Sequence, residues 1–260
     1  MSITVIIHSL NEEKNIGDCI GSAKLLTDKI ILVDMESVDK TVEIAKKLNA
    51  SVFNFQIKSN YVEPAREFGI KKSKTDWVLI LDADERMTQE LAFEIKQLLT
   101  INSSLLTYFK IPRKNIFANI KTCLPAGRWL KHGGWWPDYQ IRLINKKSFV
   151  NWPKRIHSTP FIKGDFGYLK NPLIHYFHGD LSNMVKKTIV FEDIESDLLY
   201  KAGKKTTTKT FFRKYLAELF RRLIKNLGFL DGTVGIIESI YQAFSKTITY
   251  LFLYEKSRHL

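Results

Sequence analysis

The chain is poor in cysteine, with only Cys19 and Cys123 in 260 residues. Neither stands in a Cys-x-x-Cys pair, so neither a disulfide framework nor a cysteine zinc site is expected. Two buried thiols in a reducing compartment fit this usage. Long apolar runs are also missing. No stretch of about 18 uninterrupted hydrophobic residues occurs, so no membrane-spanning helix is expected. The opening MSITVIIHSL has no basic segment ahead of an apolar one and no small-residue cleavage site, and reads as a strand rather than a signal peptide. No glycine-rich phosphate loop follows that strand, which weighs against a nucleotidyltransferase. Negative charge is in deficit: 27 Asp and Glu stand against 40 Lys and Arg, a net charge of +13. Such an excess suits a nucleic acid, an anionic membrane surface or an anionic substrate.

What is present suffices for a full core. Hydrophobic residues make up 45% of the chain and aromatics 12%, enough for one large domain or one domain with an appendage. Over the first hundred residues strand and helix patterns alternate. Ile3–Ile7, Lys29–Val33, the ASVFNF stretch and Trp77–Leu81 read as strands. Ile16 with Ile20, Val42 with Ala45 and Leu48, the stretch after Pro64, and Thr88–Leu99 carry helical spacing. Strands alternating with helices predict an α/β fold around a mostly parallel sheet. Ligands of such sheets bind beyond the carboxyl ends of the strands. The Ser9–Glu13 segment, Asp34 and Asp82 each follow a predicted strand end.

The stretch VLILDADER gathers Asp82, Asp84 and Glu85 behind an apolar strand. Carboxylates crowded at a buried strand end repel one another unless something cationic sits among them. Asp-x-Asp in extended backbone turns both carboxylates to one side. The pair can hold Mg²⁺ or Mn²⁺ and leave positions open for substrate phosphates. The same residues would also cap the following helix.

A second constellation is KHGGWWPDYQIRL, Lys131–Leu143. Gly133 and Gly134 permit a tight turn. Trp135 and Trp136 offer flat apolar faces suited to sugar C–H groups, although Trp is more often a core residue. Pro137 fixes the backbone before Asp138. Gln140 and Arg142 alternate beyond it, on one side of a strand, and Arg142 is placed to bind phosphate.

The C-terminal third differs. Ser182–Tyr200 reads as a helix with an acidic patch at Glu192, Asp193, Glu195 and Asp197. A basic linker follows. Phe211–Leu227 carries Phe212, Tyr215, Leu216, Leu219, Phe220, Leu223, Ile224 and Leu227 as a stripe, with Arg213, Lys214, Arg221, Arg222 and Lys225 opposite. GFLDGTVG breaks the pattern and Ile236–Phe252 restarts it. A cationic amphipathic helix reads as membrane-interfacial; packing onto the rest of the chain, or a homo-oligomer, is the alternative.

Taken together, SLNEEKNI, ILVDMESVDKT and DWVLILDADER resemble, in order, the motifs of family 2 glycosyltransferases of the GT-A fold. The agreement continues through GGWWPDYQIRL, RIHSTP, PLIHYFH and GFLDGTVG, and is strongest with the branch that includes lipopolysaccharide-core glucosyltransferases. Met35, Val38, Glu67 and Ser158 depart from the common pattern. The resemblance implies a Rossmann-like GT-A domain over residues 1–180 with a helical, basic C-terminal extension over 181–260. Within the domain, residues 1–100 would bind the nucleotide sugar and 101–180 the acceptor. It implies donor contacts from Ser9, Asn11, Glu12, Asp34, Arg66, Asp82 and Arg142. Asp82, Asp84 and His157 would hold a divalent metal, Mn²⁺ or Mg²⁺, with His175 and His178 as the second option. Asp138 would be the general base of an inverting transfer, and Gly134, Trp135, Trp136 and Gln140 would meet the acceptor. His132, beside the glycine pair, has no assigned part. The expected donor is a UDP-hexose and the expected acceptor a glycan or lipid-linked glycan at the cytoplasmic face of a bacterial membrane. A nucleotidyltransferase and a basic nucleic-acid-binding protein are the competing readings; the acidic rim speaks against nucleic acid.

Overall fold

The computed structural model describes residues 1–56, 61–100, 106–117, 127–177 and 181–258. Cys123 and His178 lie outside them. The chain divides into two compact units, one of Met1–Arg113 with Tyr139–His175, the other of Lys114–Asp138 with Tyr176–Leu260. The stretch 114–138, which the resemblance places in the acceptor half of a domain over residues 1–180, falls in the second of these units.

The first unit opens with β1 (Ile3–Ser9), α1 (Ile16–Ala23), β2 (Ile30–Asp34), α2 (Thr41–Lys47), β3 (Ser51–Asn54), α3 (Glu63–Lys72) and β4 (Trp77–Asp82). The short β5 (Glu85–Arg86) and α4 (Gln89–Thr100) follow. Later come β6 (Leu106–Phe117), β7 (Arg128–Trp129), β8 (Asp138–Asn145), β9 (Phe149–Asn151), β10 (Phe161–Ile162), β11 (Asp165–Tyr168) and β12 (Leu173–Phe177). The main sheet runs β3-β2-β1-β4-β8-β6-β12-β5. Its first four strands pair in parallel. β8 then joins β4 antiparallel, and β12 joins β5 antiparallel. The alternating half is the expected parallel sheet; beyond β4 the sheet is mixed, because strands without crossover helices pair locally in either sense.

Every residue of β1 is buried, as befits a central strand covered on both faces. Val5 and Ile7 pack with Ile16, Cys19 and Ile20 of α1, Ala45 of α2, and Leu91 and Ile95 of α4. Ile6 packs on the opposite face with Val33, Val78, Ile80, and Ala65 and Ile70 of α3. Gly69 lets α3 approach: a Cβ there would stand 2.7 Å from Ile6 Cγ2 and 3.2 Å from His8 Nε2. The Cys19 thiol is buried in the first core, and burial pushes its pKa upward.

The second unit is mainly helical: α5 (Leu181–Lys201), α6 (Thr208–Leu219), a π-helical segment (Phe220–Lys225), a 3₁₀ turn (Gly228–Asp231) and α7 (Gly232–Arg258). Thr207 caps α6, its hydroxyl accepting from the N–H of Thr210. The acidic face of α5 meets α7, where Lys256 Nζ stands 2.7 Å from Asp193 and 2.5 Å from Asp197. Ser245 donates to Glu192 at 2.6 Å.

Candidate active site

Parallel register sets the rim. Ser9 lies opposite Asp34, and His8 opposite Asp82. The side-chain atoms Ser9 Oγ and Asp34 Oδ1 are both buried with no hydrogen-bond partner among the described residues. The other Asp34 oxygen accepts from the Ser37 N–H at 3.1 Å. An orphaned buried acceptor costs about 1–3 kcal/mol, so two together at a strand-end rim call for a polar partner, water or ligand. The loops after β1 and β2 are laced together. The Asn11 N–H donates to Ser37 Oγ at 2.9 Å, and the Val38 N–H returns a bond to Asn11 Oδ1 at 2.8 Å. Asn11 and Glu36 hold φ of 56° and 67°, a left-handed conformation that costs free energy in residues with a Cβ. Asn11 thus braces the rim through its side chain. Glu12 accepts from Asn15 at 2.7 Å. The departures at Val38 and Glu67 fall on a loop tip and on an anchor: Val38 is exposed, and Glu67 accepts from the Trp152 N–H at 3.1 Å.

The carboxylates of VLILDADER do have cations among them, and these are arginines. Arg66 Nη2 donates to Asp82 Oδ1 at 2.7 Å, and Arg142 Nη2 to Asp82 Oδ2 at 2.6 Å. Arg142 also reaches Glu85 Oε1 at 2.5 Å, and Arg113 approaches the same oxygen at 3.3 Å. Glu85 is fully buried; its second oxygen accepts from the Asp82 N–H at 3.0 Å. Burial alone would raise the Asp82 pKa, but Arg142 and Arg66 outweigh it and hold the carboxyl well below the usual range. The same pairing raises the pKa of Arg142 against its own burial. Arg142, expected on the donor phosphates, here joins Asp82 to Glu85. His8 sits beneath this cluster. Arg66 Nη1 donates to its Nδ1 at 3.5 Å and its Nε2 lies 3.3 Å from the Ala65 carbonyl. Because a guanidinium only donates, the ring proton belongs on Nε2. Burial, then the neighbouring Arg66, push the His8 pKa down to about 3.

Asp84 Oδ2 stands 3.5 Å from His175 Nε2. The register that pairs His175 with Glu85 across β12 and β5 brings them together. Among the described residues no three of His, Cys, Asp and Glu gather closely enough to form a metal cage. His157 lies on a loop, where its N–H donates to Glu63 Oε1 at 2.8 Å. Asp84 supplies the kind of carboxylate that, with phosphate and water, ligates Mg²⁺ or Mn²⁺; the imidazole of His175 suits a transition-metal ion better than Mg²⁺. Each Asp82 oxygen already accepts from one arginine.

The GGWWPD motif lies in the second unit. Gly133 and Gly134 adopt φ of 68° and 84°. Trp135 and Trp136 are both half-buried. Trp135 packs on Phe177 with centroids 4.9 Å apart, and Trp136 meets Trp129 edge-on at 5.3 Å. Asn115 Nδ2 donates to Asp138 Oδ2 and to the Trp135 carbonyl, each at 3.2 Å. Gln140, two residues on, belongs to the first unit.

The comparisons with known proteins decide among the reactions such a rim could serve. Residues 4–115 match the family described as Glycosyl transferase family 2. The chain carries a family 2 glycosyltransferase domain. An uncharacterized glycosyltransferase of Rickettsia typhi is 28% identical across 98% of this chain and 87% of its own length. The lipopolysaccharide core biosynthesis glycosyltransferase LpsC of Rhizobium meliloti is 21% identical across 98% of this chain and 93% of its own. Among solved structures, S. aureus TarS residues 1–349 in complex with UDP-GlcNAc superposes with a TM-score of 0.51 at 14% identity, covering 100% of this chain and 92% of that one. The fold is that of GT-A glycosyltransferases.

Four residues of this glycosyltransferase received no role from the sequence. Arg113 and Asn115 alternate along β6 and meet Glu85 and Asp138 respectively. Their signal was polar residues two apart within an apolar strand. His8 looked like one more position of a buried strand. Asp231 gave no sign of its partners, which lie about a hundred residues earlier in the chain: its carboxylate accepts from the backbone of Lys131 and His132.

Proposed function

We propose that this enzyme is an inverting glycosyltransferase that moves a hexose from a UDP-sugar to a glycan or lipid-linked acceptor, in lipopolysaccharide or related cell-surface synthesis. The observation that carries the reading is the pair of orphaned oxygens, Ser9 Oγ and Asp34 Oδ1, side by side at adjacent strand ends. They suit the donors and acceptors of a nucleoside, with Asp34 accepting from a ribose hydroxyl or a base N–H. Arg66 offers its planar cation to base or diphosphate. Asp138, held by a hydrogen bond from Asn115, takes the proton of the acceptor hydroxyl. The acceptor oxygen bonds to the anomeric carbon as the bond to the diphosphate breaks, and UDP leaves with that electron pair. A divalent ion at Asp84 and His175, when bound, supplies charge neutralisation of the leaving diphosphate. The similarity to LpsC, a lipopolysaccharide core biosynthesis glycosyltransferase, supports the lipopolysaccharide assignment.

Membrane association is part of this reading. Phe212, Leu216, Phe220 and Ile224 are 66, 57, 60 and 48% exposed. They recur every four residues, and the wider π turn after Phe220 counters the drift of such a stripe around an α-helix. Arg213, Arg221 and Lys225 are exposed beside them. An apolar stripe flanked by cations suits an anionic lipid surface, at the inner face of the cytoplasmic membrane. Among the described residues no helix is long and apolar enough to span a membrane.

Calorimetry of UDP binding in Mn²⁺ tests the reading. Asp34→Ala should weaken UDP at least about tenfold, the scale of one lost charge-assisted hydrogen bond. Asp84→Asn should remove the metal dependence. Unchanged affinity in Asp34→Ala would overturn the donor site.

A further inference from the structure

The segment GFLDGTVG, Gly228–Gly235, has no part in the donor rim, yet the close packing of its backbone is unusual. A Cβ on Gly228 would stand 2.7 Å from the Arg222 carbonyl oxygen, and one on Gly235 would stand 2.1 Å from the Gly228 oxygen. Only glycine fits either place. The turn so formed presents one buried carboxylate, Asp231, 3% exposed.

All of that carboxylate's bonds that are resolved run to the motif preceding the proposed base. Asp231 Oδ2 accepts from the N–H of Lys131 at 2.9 Å and of His132 at 2.8 Å. Oδ1 lies 2.8 Å from His132 Nδ1, which donates to it. The next residues are held from the same side. The Gly133 N–H donates to the Asn226 carbonyl at 2.7 Å, and Arg222 Nη1 donates to the Gly133 carbonyl at 3.1 Å. The Arg222 guanidinium lies 5.3 Å from the Trp135 ring centroid, within cation–π range. From there the path is short. The Trp135 N–H donates to the His132 carbonyl at 3.2 Å. The Trp135 carbonyl and Asp138 Oδ2 share one donor, Asn115 Nδ2.

We infer that Asp231 is a positioning residue for glycosyl transfer: it fixes Lys131–Gly133 and, through Trp135 and Asn115, the carboxylate of Asp138. The inference rests on Asp138 being the base. A turn held at both backbone N–H groups and one ring leaves that carboxylate little freedom, and small misplacements of a reacting group cost rate rather than binding. Asp231 makes none of these contacts to the donor rim, so donor affinity should be indifferent to it.

The test follows UDP release from the UDP-hexose that the wild-type enzyme turns over fastest. Asp231→Ala should lower kcat by about tenfold or more, with KM for the UDP-hexose and Kd for UDP within about twofold of wild type. Asp231→Asn keeps an oxygen for the two backbone N–H groups and should recover most of that rate. His132→Phe removes only the ring donor. It should give a smaller loss of the same kind, and it serves if Asp231→Ala does not fold. Normal kcat in both Asp231→Ala and His132→Phe, or equal losses in kcat and UDP affinity, would overturn the inference. Asp138→Asn separates the two claims. If it turns over normally, the base assignment falls and the positioning role with it. If it is inactive while Asp231→Ala is normal, only the positioning role falls.

Discussion

His8 should make the enzyme's stability depend on pH in a range where few other groups titrate. Its pKa is pushed down to about 3 in the folded chain, by burial and then by Arg66, against about 6.5 in an unfolded chain. Between those values the unfolded chain binds a proton that the folded chain refuses. Stability from this group is therefore complete above pH 6.5 and is lost as pH falls toward 3. Below the unfolded pKa the loss approaches about 1.4 kcal/mol per pH unit, so from pH 8 to pH 5 it amounts to about 2 kcal/mol. Most carboxylates stay ionised over that interval. The comparison is urea unfolding of wild type and His8→Gln at both pH values, with linear extrapolation. Glutamine can donate to the Ala65 carbonyl but takes no proton. The gap between the two proteins should narrow by about 2 kcal/mol on going from pH 8 to pH 5. A gap that stays constant within about 0.5 kcal/mol would mean that His8 is not held neutral, and the tautomer assigned beside Arg66 would be wrong.

Three further outcomes are expected. Gly69→Ala should destabilise the fold by about 1–3 kcal/mol in thermal or urea unfolding, because its Cβ would enter the space of Ile6 and Val33. Arg142→Met should cost about 3 kcal/mol, near the lower end for a broken buried pair, since Arg66 and Arg113 still answer Asp82 and Glu85; a loss under about 1 kcal/mol would show the cluster to be solvated. In liposome flotation the enzyme should bind anionic vesicles and release in high salt, and Arg213→Gln with Lys225→Gln should weaken binding, each charge contributing about 1 kcal/mol. Arg222 is left intact there because it holds Gly133. Equal binding to neutral and anionic vesicles would favour a packing or oligomerisation role for the exposed stripe.

Much of the first unit was legible in the order of residues. Two-residue and 3.6-residue periods separate strand from helix locally, and parallel strands must end on one side when helices cross back between them. That logic places Ser9, Asp34 and Asp82 at one rim from sequence alone. It could also say that the carboxylates after β4 need cations, because charge repulsion is local. Which cations was a tertiary matter. Arg66 comes from α3, Arg142 from β8 and Arg113 from β6, and strand pairing beyond β4 follows no periodic signal in the chain. The same holds for the histidine beside Asp84. The resemblance offered His157 first and His175 or His178 second, and only the antiparallel register brings one of them, His175, to Asp84. At the far end of the chain, amphipathic spacing revealed α6, but whether its stripe is buried or exposed depends on neighbours that periodicity does not name. The carboxylate of Asp231 meets the backbone of residues 131 and 132 from a turn whose tight packing around Gly228 and Gly235 no periodic pattern announces.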